Sequence, residues 1–304
     1  MITMSSMLEL GWLKRWRIIV AALVMAAALT ACSTLRLAYN QADTVMYWWL
    51  DGYVAFTPEQ APKARSAIAD WFEWNRRSEL PQYAALLDTA AEEVLNDTTP
   101  ARVCEWLHIA RVRLDRAVQQ SLPQAAVIAV SFDSEQLARL ERKQAQAAAE
   151  LREEYLGPAP NAQRAAAVER LRERAEQLYG RIDDKQRARL ERGVAESPFD
   201  VERWLQERER RQRDLAQGLR AVRAGASATG GTPSADGADP LQAMWQRVKS
   251  PPDAGYRSYL EKLLPYNCAL SADFHNATTA EQRQVAHQRL KAWRADLLRL
   301  ASPG

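Results

Sequence analysis

The sequence predicts an all-α fold: a helical bundle body with a long charged helical hairpin. Three observations carry this. Apolar residues recur three and four apart, and alternating runs of Val, Ile and Thr are absent. Helix-start signatures repeat along the chain. Only 12 Gly and 14 Pro occur in 304 residues, which argues against a collagen-like or wholly disordered chain. The length allows one or two domains with a sizeable core. The formal net charge of +3 argues against a nucleic-acid partner, which usually calls for a concentrated positive surface.

Residues 1–31 read as a targeting segment. Lys14, Arg15 and Arg17 precede an apolar run at residues 18–29 that is too short to span a bilayer comfortably. The run ends in Leu29-Thr30-Ala31-Cys32, which resembles the bacterial lipobox. That resemblance implies cleavage before Cys32, diacylglycerol on its thiol, acylation of the new amine, and membrane attachment through that lipid. Two or more acyl chains anchor stably where one does not. The plainer alternatives are an ordinary secretory signal or a short anchor. Ser33, where an Asp would resemble an inner-membrane retention signal, points to the periplasmic face of the outer membrane. Without residues 1–31 the chain loses three cations and Glu9, and its net charge falls to +1.

Residues 32–131 form an aromatic-rich helical domain, with Trp48, Trp49, Trp71, Trp74 and Trp106 among its candidates for a core. Pro81, Pro100 and Pro123 are expected to divide it into helices. Residues 132–223 hold 20 basic and 18 acidic residues and are expected to form the charged hairpin, broken at Gly157-Pro158-Ala159-Pro160. Its first arm, from Ser134 to Leu156, would be about 35 Å long. Charge pairs four apart, such as Glu135–Arg139, Glu207–Arg211 and Glu209–Arg213, support it. Residues 224–239, rich in Gly, Ala, Ser and Thr, read as a flexible linker. Residues 240–304 read as C-terminal helices packing on the first domain. Four apolar stripes are expected to bury narrow seams: Val103–Leu107–Ala110–Leu114–Val118, Leu137–Leu140–Gln144–Ala147–Leu151–Tyr155, Val168–Leu171–Ala175–Leu178 and Ala286–Leu290–Trp293–Leu297–Leu300.

The helix starts share one form. Thr57 with Gln60, Asp133 with Gln136, Asp183 with Gln186 and Thr279 with Gln282 each place a capping residue three before a Gln. Asp239-Pro240-Leu241-Gln242 is a looser fifth, and Thr99-Pro100 a simpler start. These boxes resemble the LTxxQ motif of Spy- and CpxP-type periplasmic proteins, which are helical hairpin proteins that include chaperones; convergent capping is the alternative. Residues 37–43, 47–51, 79–83 and 274–279 resemble an uncharacterised family of Gram-negative lipoproteins. That resemblance implies a helical lipoprotein and carries no activity.

Chemistry is sparse. The chain has no GxSxG, HExxH, CxxC or glycine-rich phosphate loop. No catalytic residue, metal site or cofactor is expected. His108, beside an apolar stripe, reads as partly buried. Cys104 and Cys268 are a candidate disulfide if Cys32 is lipidated, or else two buried thiols. Two polar clusters are candidate binding residues: Arg76, Glu79 and Tyr83, with an ion pair as the bland reading, and Asp273 and His275, with a turn network as theirs. Three functions compete: an interaction or structural lipoprotein with a protein partner in the envelope, a holdase chaperone, and an envelope enzyme, of which the first is expected.

Overall fold

The computed structural model describes residues 35–157, 159–228 and 239–302. The targeting segment and Cys32 lie outside them. Residues 35–40 are helical, and eleven helices follow among the described residues, with no strand. They are α1 (Ala42–Val54), α2 (Gln60–Trp74), α3 (Leu80–Glu93), α4 (Pro100–Ala129), α5 (Ser134–Leu156), α6 (Pro160–Tyr179), α7 (Asp184–Ala195), α8 (Val201–Ala228), α9 (Asp239–Lys249), α10 (Ala254–Asn276) and α11 (Ala280–Ala301).

The capping boxes do more than cap. At Asp133, Asp183 and Thr279 the cap oxygen accepts the N3 amide, and the Gln carbonyl accepts the cap N–H. Thr57 and Gln60 make the same reciprocal pair, one turn ahead of α2. The four boxes then dock in twos. Gln60 Nε2 donates to Gln136 Oε1 at 3.1 Å, and Gln136 Nε2 donates back to Gln60 Oε1 at 2.7 Å. The remaining amide protons reach Ser131 O and Ala55 O. Gln186 and Gln282 repeat the arrangement at 2.7 and 3.0 Å, with Ala277 O and Arg181 O as the outer acceptors. In every case the outer acceptor is the residue two before the partner's cap. Each amide thus donates twice and accepts twice, which is all it can do. One clasp ties α2 to α5 and the other ties α7 to α11. The looser start differs, since Asp239 is already the first residue of α9.

Two prolines do not act as expected. Pro123 sits inside α4, which runs unbroken for 30 residues. Pro81 stands in the first turn of α3, just after a π-helical segment, Asn75–Glu79, that joins α2 to α3 without a break. The π turn closes with Leu80 N–H on Asn75 O, so the helical path reaches Pro81 already shifted in register. The predicted linker also starts late: α8 continues through Gly225 to Ala228, and residues 229–238 lie outside the described ones.

The charged segment 132–223 is not a protruding hairpin. After Gly157 its arms part: α5 packs along α8, while α6 packs along α7 and α11. Phe132, Leu137, Leu140, Leu219 and Val222 join Val54, Leu122, Ala126 and Leu241 in one core cluster. A second cluster holds Ala91 of α3 and Val94 just after it against Ala286 and Leu290 of α11, with fully buried alanines at the crossing. A third joins Val168, Ile182, Leu190 and Phe274. Of the predicted charge pairs, Glu207–Arg211 forms at 2.7 Å, whereas Glu135 pairs with Arg142 and Glu209 with Arg152. Glu207 is buried and also holds Arg210, which bridges to Asp214.

A disulfide joins Cys104 of α4 to Cys268 of α10 across 164 residues of chain. Next to it, Gly193 lets α7 approach α10, since a Cβ there would collide with the Leu270 side chain. Tyr266 donates to Gly193 O at 2.7 Å across the same contact.

Two expectations follow. Gln136→Glu keeps the carbonyl-type acceptor for its cap but removes both clasp donors and buries a charge. It should cost about 1–3 kcal/mol in urea unfolding, more than the roughly 1 kcal/mol expected of Asp133→Ala, which loses one cap bond. Replacing Cys104 and Cys268 together by Ser should cost on the order of 4–5 kcal/mol by chain entropy, measured as the same unfolding midpoint shift with wild type as reference.

Candidate functional site

The five-residue stripe that begins at Val103 illustrates how the site arises. Ala110 and Leu114 on α4 are exposed, the latter by 56 %, instead of buried in a seam. They face an open, mostly apolar cavity of about 1350 Å³. Its walls come from one face of α1 (Met46, Trp49, Leu50, Tyr53), from α2 (Ile68, Trp71, Phe72), from α3 (Leu80, Tyr83, Leu86, Leu87) and from the long α4 (Trp106 through Ile128). Leu140 and Gln144 of α5 and Leu215 and Leu219 of α8 close one side. Trp49, 59 % exposed, and Leu114 stand at the opening. A cavity of this size exceeds the range usual for sites of drug-sized ligands.

Polar groups brace the walls. Trp71 Nε1 donates to Ala117 O at 2.9 Å and so ties α2 to α4. Tyr39 donates to Asn75 Oδ1 at 2.6 Å, and Tyr83 lies against the same Asn75. Burial pushes the Tyr39 phenol up to about 12 and raises that of Tyr83, so both stay protonated donors. The π segment places Asn75 and Glu79 inward. Glu79 is fully buried, with Arg116 Nε 2.9 Å from Oε1 and Arg113 NH1 3.6 Å from Oε2. Arg113 lines the cavity, as does the exposed Arg208, whose guanidinium lies 5.3 Å from the Trp204 ring centre.

Of the residues singled out in the sequence, Tyr83 lines this site, Glu79 is buried and paired with the lining Arg113, and Arg76 does not pair with either. Arg76 lies over the Tyr39 ring at 4.8 Å and donates to Asn40 Oδ1 and Leu300 O. The ion pair proposed for Glu79 exists, but its partners come from α4. Asp273 and His275 point apart. Asp273 is exposed and holds Arg189 at 2.6 Å. His275 is buried; its Nε2 lies 2.7 Å from Asn96 O and its Nδ1 2.8 Å from the Tyr179 hydroxyl. A carbonyl only accepts, so the proton sits on Nε2 and Nδ1 accepts from Tyr179. This is the turn network that orients α11. His108 is exposed, not partly buried, because it falls between the two faces that α4 turns inward. Among the described residues, no three His, Cys, Asp or Glu side chains are grouped to hold a metal ion.

The cavity itself was not read from the sequence. One signal was available: the apolar positions of α4 run from Trp106 to Ile128, longer and wider than one neighbouring helix covers.

Burial lowers the His275 pKa below its ordinary 6.5, aided by Arg283. The unfolded chain then takes up a proton near 6.5 that the folded chain refuses. Stability from this site is complete above pH 6.5 and falls as pH drops below it. Thermal unfolding between pH 7.5 and 5 should show that decline, and His275→Gln should flatten it.

Comparison with curated proteins finds no match, and none of the solved structures matches. Residues 52–228, more than half of the chain, match a family of unknown function, DUF6279. The match runs from the end of α1 to the end of α8 and takes in most of the cavity wall, and the chain belongs to this family.

Proposed function

We propose that this protein is a lipid-anchored module of the bacterial envelope that acts by binding, and that its binding site is the apolar cavity. The observation that carries the reading is the cavity's combination of size, apolar lining and an open mouth with exposed Trp49 and Leu114. Such a surface in water is retained at a cost unless something occupies it. What favours binding over catalysis is the state of the three His. His275 spends both ring nitrogens in fixed bonds to Asn96 O and the Tyr179 hydroxyl, His287 spends Nδ1 on Ala91 O, and His108 is exposed.

Two features support the envelope. The Leu29-Thr30-Ala31-Cys32 sequence reads as an acylation site at the periplasmic face of the outer membrane. A disulfide between Cys104 and Cys268 suits an oxidising compartment. No helix among the described residues is long and apolar enough to cross a membrane.

The same open cavity favours a second reading, a holdase that shelters apolar segments of unfolded proteins. Titration with a fluorescent long-chain fatty acid and, separately, suppression of aggregation of an unfolded client separate the two. Under the binding-module reading the fatty acid saturates at one site, and Ala110→Trp, which fills the mouth from an exposed position, weakens it at least tenfold with little change in melting temperature. Absence of saturable binding, or indifference to Ala110→Trp, would overturn it. Stoichiometric suppression of aggregation that Ala110→Trp abolishes would favour the holdase.

A further inference from the structure

Among the described residues, no helix covers the outer face of α1. Val45, Trp48 and Trp49 lie three and four apart on it and are exposed by 63, 60 and 59 %. Leu37, on the helical residues before α1, and Met46 extend the exposed apolar surface. The patch is ordered, not loose. Trp48 meets Tyr47 edge-on at 5.4 Å, and the Arg65 guanidinium covers both rings, 3.5 Å from the Tyr47 centre and 5.4 Å from that of Trp48. Lys63, also on α2, is exposed nearby in sequence. Clustered indoles with cations beside them are the composition of a membrane–water interface, where the ring is half buried and its N–H stays hydrated.

The short chain distance to Cys32 decides which surface meets this patch. Leu35 follows Cys32 by three residues. Three residues reach at most about 10 Å. A lipid on Cys32 therefore holds the start of this helix within about that distance of the bilayer.

We infer that the Val45–Trp48–Trp49 face of α1 seats in the interfacial layer of the membrane to which Cys32 is anchored. The inference rests on the lipid-anchor reading above. It gives the exposed face an occupant and adds a second contact to the acyl chains, as peripheral helices do. It also has a consequence for the cavity. Met46 and Trp49 belong both to this face and to the cavity wall, so docking turns the mouth toward lipid.

The test uses the full chain, processed and purified from a Gram-negative host and reconstituted on vesicles of phosphatidylethanolamine and phosphatidylglycerol. Val45→Cys carries an environment-sensitive fluorophore. Phe199→Cys, an exposed aromatic position between α7 and α8, carries the same label as reference. The label at 45 is expected to shift to the blue and to be quenched several-fold more by brominated acyl chains than the label at 199. Mass spectrometry of the same preparation reads the N-terminus. Acylated Cys32 with a label at 45 as water-exposed as that at 199 overturns the docking face and leaves the anchor standing. An N-terminus without acyl chains, on protein that does not float with the vesicles, overturns both.

Discussion

Two side-chain amides facing each other, Gln60 with Gln136, complete one another's last donor and acceptor, and much of the helix order follows from that contact. Each Gln is already committed to its own helix start through its carbonyl. The pairing therefore does not merely join two side chains; it fixes the first turn of α2 against the first turn of α5. Gln186 with Gln282 does the same for α7 and α11. Three of the four amides are at most 5 % exposed, so water does not compete for these bonds, and an unmade one would carry its full desolvation cost. Between the clasps the Cys104–Cys268 bond ties α4 to α10. The long α4 is thus held along its length: by Trp71 in its second half, by the disulfide near its start, and by the core cluster around Ala126 at its end.

With the frame held in that way, α1, α2 and α4 need not collapse on one another. The π segment supplies the local reason they stay apart. One extra residue in the turn rotates α3 relative to α2 and swings Asn75 and Glu79 into the interior. Glu79 must then be compensated, and Arg113 and Arg116 of α4 do so from across the gap. Side chains this long hold the helices at a distance that small apolar residues would have closed. By contrast, α3 and α11 meet at Ala91 and Ala286 with nothing between them. The cavity is the difference between these two kinds of contact.

Charge plays two parts in the same molecule. On the surface, Arg187–Glu191 and Arg203–Asp200 are exposed pairs of the sort that add little. Inside α8, Glu207 is buried between Arg210 and Arg211, and Asp214 links Arg210 to Arg247 of α9. The pairs lower the Glu207 carboxyl below its ordinary range despite its burial. A network of this kind orients α9 on α8 more than it stabilises them, because desolvation offsets most of the attraction.

Helicity, the helix starts and the break at Gly157 were legible in the sequence, because caps, periodicity and glycine act within a few residues of themselves. Even the clasps left a trace: all four boxes carry Gln at the third position, where Glu would cap as well but could not donate to a partner. The polar clusters were half legible. Glu79 and His275 were recognisable as residues needing partners, yet the partners, Arg116 and Tyr179, stand 37 and 96 positions away, and only folding brings them in. The charged segment was misread as an arm because its balanced charge describes its outer faces, while Leu137, Leu140, Leu219 and Val222 decide where it packs. The cavity belongs wholly to the tertiary structure. An apolar stripe reads the same in sequence whether a neighbouring helix covers it or stands off from it, and here Glu79, Asn75 and the clasps set the distance.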